Sequence, residues 1–242
     1  MVRLHEFGYD HDGLRLTGHL ASPDGPGPHP AVLVLHSALG IDDDACRRAA
    51  DLAALGYVAL AADMYGKGRD LDREQMGRSF VELQTDPELL RARVVAAFDV
   101  VRAVAGVDPA RVSALGFCFG GQCALELARS GAAIRAAVSF HGLLRTANPA
   151  CSGQVTAKVL SISGAKDPFV PPEDVAVFQR EMADADVDWQ MTVYGQGYHA
   201  FAMSDIAAHG VDGAVYDPVL DQLSWAQATA FLEAADTGVP VP

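Results

Sequence analysis

The sequence predicts an α/β fold, with a mostly parallel central sheet of about 7–8 strands and helices on both faces. Apolar runs of strand length alternate with longer segments of helical periodicity, a pattern typical of parallel strands joined by helical crossovers. The run at residues 31–35 is continuously apolar, which favours a strand buried on both faces. The 242 residues show no linker and no internal repeat, so we expect a single domain over residues 1–242.

The N-terminal part predicts a hairpin followed by the first β–α–β unit. A turn at Asp12-Gly13 interrupts a loosely alternating stretch, and the Pro- and Gly-rich residues 22–28 predict a loop. One aspartate of residues 42–44 would cap the next helix. A calcium site is the alternative, but adjacent carboxylates diverge and EF-hand spacing is absent. The predicted elements are a strand over 31–35, a helix over 45–55 and a strand over 57–62.

Residues 66–87 break this alternation, because they are polar, hold three glycines and end at Pro87. They predict an insertion over the edge of the sheet near the functional site, with a short helix at 73–83. The alternation then resumes, and residues 237–242 are expected to fray. Helices are predicted over 88–105, 122–129, 172–185 and 219–235, and strands over 111–115, 134–140, 158–163 and 188–194.

Charge and cysteine content argue against several functional classes. The formal net charge of −13 disfavours nucleic acid or an anionic membrane as a partner. No run approaches the ~18 apolar residues that span a bilayer, and the N-terminus is charged too early for a signal peptide. The four cysteines show no CxxC pair and no metal-type spacing, and Cys46 and Cys123 are predicted in the core. We therefore expect a cytoplasmic monomer or homodimer with no metal and no cofactor.

The most informative motif is Gly-Phe-Cys-Phe-Gly-Gly at residues 116–121, between an apolar strand and a helical segment. A nucleophile flanked by small residues at a strand-to-helix junction is typical of a nucleophile elbow. Glycine lets the chain turn sharply, so the side chain of Cys118 would point into a cleft. Serine is the usual residue there; a thiol ionises far more easily, with a reference pKa of about 8.5.

A cysteine nucleophile needs a base and an acid that orients the base, and both are predicted at strand ends. Asp167 directly follows one predicted strand, and His199 follows the next. The order Cys118, Asp167, His199 is the nucleophile–acid–histidine order of α/β-hydrolases. Taken alone, Asp167 could start a turn and His199 could be a surface residue. The expected oxyanion donors are the backbone N–H groups of Phe119 and Ala38.

With these motifs the chain resembles the dienelactone hydrolase family (carboxymethylenebutenolidase-like). The resemblance covers nearly the whole chain and is most specific at residues 116–121, 164–171 and 197–201. It implies a Cys–His–Asp triad that opens a lactone or ester through an acyl-thioenzyme, which water then hydrolyses.

The chain departs from this family at two substrate-facing positions. Members that open dienelactone carry a glutamate where this chain has Ser37, preceded by His36, and an arginine where it has Met203. A second family arginine is matched by Arg73, whose alternative is a solvated helix charge. Since a thioether does not replace a bidentate arginine, we expect a more apolar pocket. Its predicted lining is Ser37, His36, Arg73, Tyr65, Phe80, Phe119, Phe169, Phe201 and Met203. The aromatic residues and Met203 could equally be core, and His36 could simply be hydrogen-bonded at a strand end.

Three alternatives remain open at this point. An acyltransferase or a thioesterase would use the same triad with a different acceptor or bond. A non-catalytic binding protein could share the fold, because fold does not imply activity. A redox-sensing Cys118 would need a resolving thiol, and Cys123 lies about 1.4 helical turns further on, pointing toward the core.

Overall fold

The computed structural model describes residues 3–238, so the predicted fraying of residues 239–242 lies outside the described range. The strands are β1 (Arg3–His11), β2 (Leu14–Ser22), β3 (His29–Leu35), β4 (Val58–Ala62), β5 (Val107–Phe117), β6 (Ala136–Phe140), β7 (Lys158–Gly164) and β8 (Trp189–Tyr194). The helices are α1 (Asp43–Ala54), α2 (Arg73–Thr85), α3 (Pro87–Arg102), α4 (Phe119–Arg129), α5 (Pro172–Asp184) and α6 (Pro218–Thr237), with a 3₁₀ turn at Ile206–His209.

The strands form one sheet in the order β1-β2-β4-β3-β5-β6-β7-β8. The pairs β1–β2 and β2–β4 are antiparallel, and every later pair is parallel. The predicted fold class is therefore confirmed: the sheet is mixed and mostly parallel. Because the hairpin supplies the antiparallel edge, the parallel part begins at β4.

The sheet is buried on both faces. Along β3 the side chains alternate, with Leu33 and Leu35 in one apolar core and Val32 and Val34 in the other. The first core contains residues of α3, α4 and α5, and the second contains residues of α1 and α6. This two-sided burial is why the sequence of β3 is continuously apolar rather than alternating.

The parallel strands bring their carboxyl ends to one edge of the sheet. β3 ends at Leu35, β5 at Phe117, β7 at Gly164 and β8 at Tyr194. The segments that follow these four strands hold all the residues of the predicted triad and oxyanion loop, as expected for a site at the carboxyl ends of an open sheet.

The insertion begins with a loop that is anchored by a buried carboxylate. The Asp63 side chain accepts backbone N–H groups from Thr17, Tyr65, Gly66 and Gly68, at 2.8–2.9 Å. Helix α2 follows, begins with a capping box at Asp72 and packs on α3. Four charge-assisted hydrogen bonds fix where the loop leaves β4, and hence where α2 approaches the site.

Two boundaries differ from the sequence prediction for physical reasons. Helix α4 begins at Phe119 rather than at residue 122, since Cys118 itself is its N-cap. Strand β5 begins at Val107 rather than at residue 111, because His29 of β3 pairs with Val107. The periodicity of apolar residues reveals neither boundary, since one is a backbone turn and the other is a polar end of a strand.

We expect Gly120→Ala to destabilise the fold by about 3 kcal/mol, because an added Cβ would overlap the backbone carbonyl of Leu35. The matched control is Gly77→Ala, at an exposed position of α2 with no atom near the added Cβ. It should stabilise the protein by up to about 1 kcal/mol through helix propensity. Urea unfolding of both variants measures the difference; equal effects would contradict this account of the elbow.

Candidate active site

Cys118 sits between β5 and α4 on a strained backbone. Its φ is 54° and its ψ is −116°, a conformation that costs a residue with a side chain about 1–3 kcal/mol. Its N–H group points at the carbonyl oxygen of Phe140, at 3.0 Å, and at Nδ1 of His141, at 3.2 Å. The neighbouring strand therefore holds the turn that presents the sulfur.

The loops after β7 and β8 bring Asp167 and His199 together. His199 Nδ1 lies 2.7 Å from Asp167 Oδ2, and both residues are buried. Oδ1 of Asp167 accepts the N–H of Phe169 at 2.8 Å, which fixes the carboxylate plane. Gly164 is required where the two loops meet, because an added Cβ would overlap the carbonyl of Gly197. Nδ1–H thus donates to Asp167, and the other ring nitrogen is left for Cys118.

The electrostatics of the site favour a charged pair. Burial would raise the pKa of Cys118, but hydrogen bonding to His199, the imidazolium charge and two backbone N–H groups outweigh it and lower that pKa. Burial would lower the pKa of His199, but hydrogen bonds with Asp167 and Cys118 outweigh it and raise the pKa to about 10. A thiolate beside an imidazolium is the resting arrangement that these shifts describe.

The backbone N–H groups whose hydrogen bonding lowers the pKa of Cys118 belong to Ala38 and Phe119. Ala38 follows β3, and Phe119 is the first residue of α4, where N–H groups have no helical partner. These are the two donors that the sequence predicts for an oxyanion hole.

A cavity of about 200 Å³ opens over the sulfur. Four of the predicted substrate-binding residues line it: Ser37, Phe80, Phe169 and Met203. The sequence did not indicate Leu39, Leu143, Ala200, Ile206 and Val211, which complete the lining together with Ala38, Cys118 and His199. Those apolar residues come from separate loops, so no local pattern marks them. No lysine or arginine is among these lining residues.

Four predicted pocket residues, among them the fully buried Phe119, are core residues instead, which corrects the sequence-based assignment. His36 is 1% exposed and bonded at the end of β3. Tyr65 lies between the rings of His36 and Phe119, at centroid distances of 4.7 and 5.7 Å. Phe201 packs against His141 in the core between the sheet, α1 and α6. These ring contacts hold the side chains in the core, outside the cavity lining.

Arg73 also lies outside the cavity lining. Its guanidinium donates to the carbonyl oxygen of His209 at 3.2 Å and is solvent-exposed. The contact joins the start of α2 to the 3₁₀ turn that carries Ile206. Arg73 therefore links two segments bordering the cavity rather than offering a charge inside it.

The family assignment rests on a match over most of the chain. The profile of the dienelactone hydrolase family matches residues 16–235. The chain belongs to the dienelactone hydrolase family. It is thus a hydrolase of this family, and it has the α/β-hydrolase fold.

Relatives of this family member cover nearly its whole length. It is 32% identical to a Bradyrhizobium sp protein named "Probable 2-oxo-3-(5-oxofuran-2-ylidene)propanoate lactonase", over 91% of this chain and 90% of that protein. A dienelactone hydrolase-like promiscuous phosphotriesterase from metagenomic libraries is 35% identical, with a TM-score of 0.89, over 96% of this chain and 98% of that chain. The solved structure of m3DLH is 38% identical, with a TM-score of 0.90, over 97% and 99%.

His141 is a site neighbour that sequence analysis missed. It is fully buried with a φ of 38°, and its ring lies edge-on to that of His199 at 5.3 Å. Burial and the nearby charges of His199 and Arg48 lower its pKa well below the ordinary value, so it is neutral. The available signal was its place directly after the apolar strand β6.

Among residues 3–238, no three His, Cys, Asp or Glu side chains group so as to hold a metal ion. No helix in the same range has the length and apolar character that crossing a bilayer requires.

We expect the rate at which iodoacetamide alkylates Cys118 to fall less between about pH 8.5 and about pH 6.5 than the rate for the exposed Cys151, since a lowered pKa keeps more of the thiol ionised as pH falls. In His199→Ala the rate at the lower pH should fall by about tenfold or more, because the partner that lowers the thiol pKa is gone. Peptide mass spectrometry measures both, with the exposed Cys151 as internal comparator. A wild-type rate that drops steeply with pH would contradict the ion pair.

Proposed function

We propose that this chain hydrolyses uncharged carboxylic esters or lactones through Cys118, with His199 as acid and base and Asp167 as its orienting carboxylate. One observation carries the proposal. At the floor of an apolar cavity, hydrogen bonding from His199 and from the N–H groups of Ala38 and Phe119 lowers the pKa of the Cys118 thiol. Nucleophile, proton carrier and oxyanion donors therefore surround one point.

The first half-reaction acylates the sulfur. The thiolate attacks the carbonyl carbon, a C–S bond forms, and the carbonyl electron pair moves to oxygen, which the Ala38 and Phe119 N–H groups receive. When the intermediate collapses, the C–O bond breaks and the imidazolium of His199 protonates the leaving oxygen. In a lactone this oxygen stays attached to the acyl chain.

The second half-reaction restores the resting pair. Neutral His199 removes a proton from water as the water oxygen attacks the thioester carbon. The C–S bond then breaks and the sulfur leaves as thiolate. Imidazolium and thiolate are both regenerated, and the carboxylic acid is released. Asp167 keeps Nδ1 protonated throughout, so that the same ring nitrogen serves both steps.

The composition of the cavity supports a neutral substrate. Ser37 and Met203 occupy the positions of the family's glutamate and arginine, and Arg73 bonds outside the lining. A buried carboxylate on the substrate would find no cation there, and its desolvation would go uncompensated. The name of the Bradyrhizobium relative supports a lactone as substrate class, but the lactone it names carries a carboxylate, so the neutral charge proposed here is argued from the cavity lining alone.

A second candidate is hydrolysis of neutral phosphotriesters. It is favoured by the 35% identity to a promiscuous phosphotriesterase over 96% of this chain. A phosphoryl oxygen would take the place of the carbonyl oxygen against Ala38 and Phe119, and the S–P bond would replace the acyl thioester. A nitrophenyl dialkyl phosphate assayed beside the ester tests it: release of nitrophenol beyond one equivalent per sulfur supports turnover.

We expect Cys118→Ala to lower kcat/KM for p-nitrophenyl acetate by about 10³-fold or more, because the covalent route is lost. Circular dichroism and urea unfolding should show an intact fold, since the strained turn remains. Mass spectrometry of the quenched wild-type reaction should find an acetyl group on Cys118. Full turnover by the alanine variant would overturn the proposal, and product captured by an alcohol rather than water would indicate an acyltransferase.

For substrate charge, we expect a neutral p-nitrophenyl butyrate to be hydrolysed with kcat/KM about tenfold or more above p-nitrophenyl hemisuccinate, an ester of equal chain length that ends in a carboxylate. The reason is the absence of a cation in the cavity lining. Varying the salt concentration serves as control, because it separates long-range repulsion by the net charge of −13 from desolvation inside the cavity. A preference for the carboxylate would contradict the neutral pocket.

A further inference from the structure

The geometry points to His36 as a positioning residue that holds the Ser37–Ala38 peptide, the one whose N–H group serves the oxyanion hole. This inference rests on the proposed function, because it concerns the same acyl-transfer chemistry. His36 does not line the cavity and contacts no substrate. It contacts the carbonyl oxygen of this peptide unit, on the opposite side from the N–H group that faces the site.

The hydrogen bonds of His36 determine where its proton resides. The N–H of Met64 points at Nε2, at 3.1 Å, and a backbone N–H can only donate. Nε2 must therefore carry a lone pair. Burial lowers the pKa of His36, so the ring is neutral and its single proton is on Nδ1. Nδ1–H then donates to the carbonyl oxygen of Ser37, at 2.6 Å.

This carbonyl belongs to the same peptide unit as the N–H of Ala38. In a trans peptide the C=O and N–H groups point in opposite directions within one plane. A donor fixed on the Ser37 oxygen therefore fixes the direction in which the Ala38 N–H points, which is toward the sulfur of Cys118. Hydrogen bonding at the oxygen also polarises the peptide and strengthens its N–H as a donor, by about 10–30% per bond.

Other contacts hold the neighbouring parts of this loop, and one of them shares the Ser37 oxygen with His36. The N–H of Gly40 also reaches the Ser37 oxygen, at 3.2 Å, and the N–H of Leu39 donates to the Ser37 hydroxyl, at 3.1 Å. The Tyr65 hydroxyl donates to the carbonyl of Ala38, at 3.3 Å, which is the next peptide along. The hydrogen bond from His36 is the shortest of these contacts, and unlike the two that involve Leu39 and Tyr65 it is buried.

The test compares two substitutions of His36 whose side-chain amides lie at different distances from the backbone. In His36→Asn the amide nitrogen stands where Nδ1 was and still donates to the Ser37 oxygen. In His36→Gln the amide oxygen takes the place of Nε2 and accepts the Met64 N–H, so that no donor is left at the position of Nδ1. Steady-state hydrolysis of p-nitrophenyl acetate and alkylation of Cys118 by iodoacetamide are measured for both, and urea unfolding shows that each is folded. Alkylation displaces iodide from carbon and creates no oxyanion, so it reports the thiolate alone.

We expect His36→Gln to lower kcat by about 10–100-fold with KM within about threefold, as for a weakened oxyanion donor. Alkylation should stay within about threefold of wild type, and His36→Asn should recover most of kcat. Tyr65→Phe, which affects the next peptide, should lower kcat by less than about threefold. Equal losses in the Asn and Gln variants, or alkylation falling in proportion to kcat, would overturn the inference.

Failure of the proposed function has a different signature. In that case the wild-type protein would not turn over the ester, or Cys118→Ala would retain its activity, whatever residue stands at position 36. If the Gln variant does not fold, His36→Leu provides the same loss of donor. If only the Asn variant folds, near wild-type kcat in that variant supports the inference and a loss comparable with that expected for Gln overturns it.

Discussion

The close approach of β3, β5 and α4 is the constraint on which the rest of the site depends. At Gly120 the backbone of α4 lies against the carbonyl of Leu35, nearer than any side chain would permit. This contact places the first N–H groups of the helix beside the end of β3, so that Ala38 and Phe119 converge on one sulfur atom. The strained φ of Cys118 is tolerated because the surrounding packing leaves the turn no other conformation.

Electrostatic interactions among the side chains then determine the charge state of the site. The site is buried, and a low local dielectric strengthens the attraction between thiolate and imidazolium while penalising any unpaired charge. In the proposed mechanism Asp167 is therefore needed for more than orientation, since without it the imidazolium would be a buried cation with only the thiolate as partner. His141, neutral and edge-on to His199, fills the space behind the ring without adding charge.

The sequence predicts the fold class and the order of the strands along the chain because apolar runs record burial directly. The elbow and the two loops can also be recognised in the sequence. Cys118, Asp167 and His199 each lie at a predicted strand end beside glycine residues, and this combination is rare. The pocket is less predictable. Phe201 and Tyr65 are as apolar as Phe80 and Phe169, and only the local backbone direction separates core from lining. Arg73 illustrates the same limit for charge, because its contact with the His209 carbonyl joins segments 136 residues apart.

In the proposed mechanism, a serine at position 37, where the resemblance to the family implies a glutamate, changes how the sulfur is controlled before substrate arrives. A carboxylate at that position would compete for the proton and the surrounding donors. With a hydroxyl there, the negative charge on sulfur is held by His199 and by the same two N–H groups that later receive the oxyanion. During attack the charge moves from sulfur to the carbonyl oxygen, and these donors can follow it only if they span both positions. The direction of the Ala38 N–H is then a requirement of both the resting state and the transition state, which is why a neutral, buried His36 bonded to that peptide has chemical consequences although it never meets the substrate.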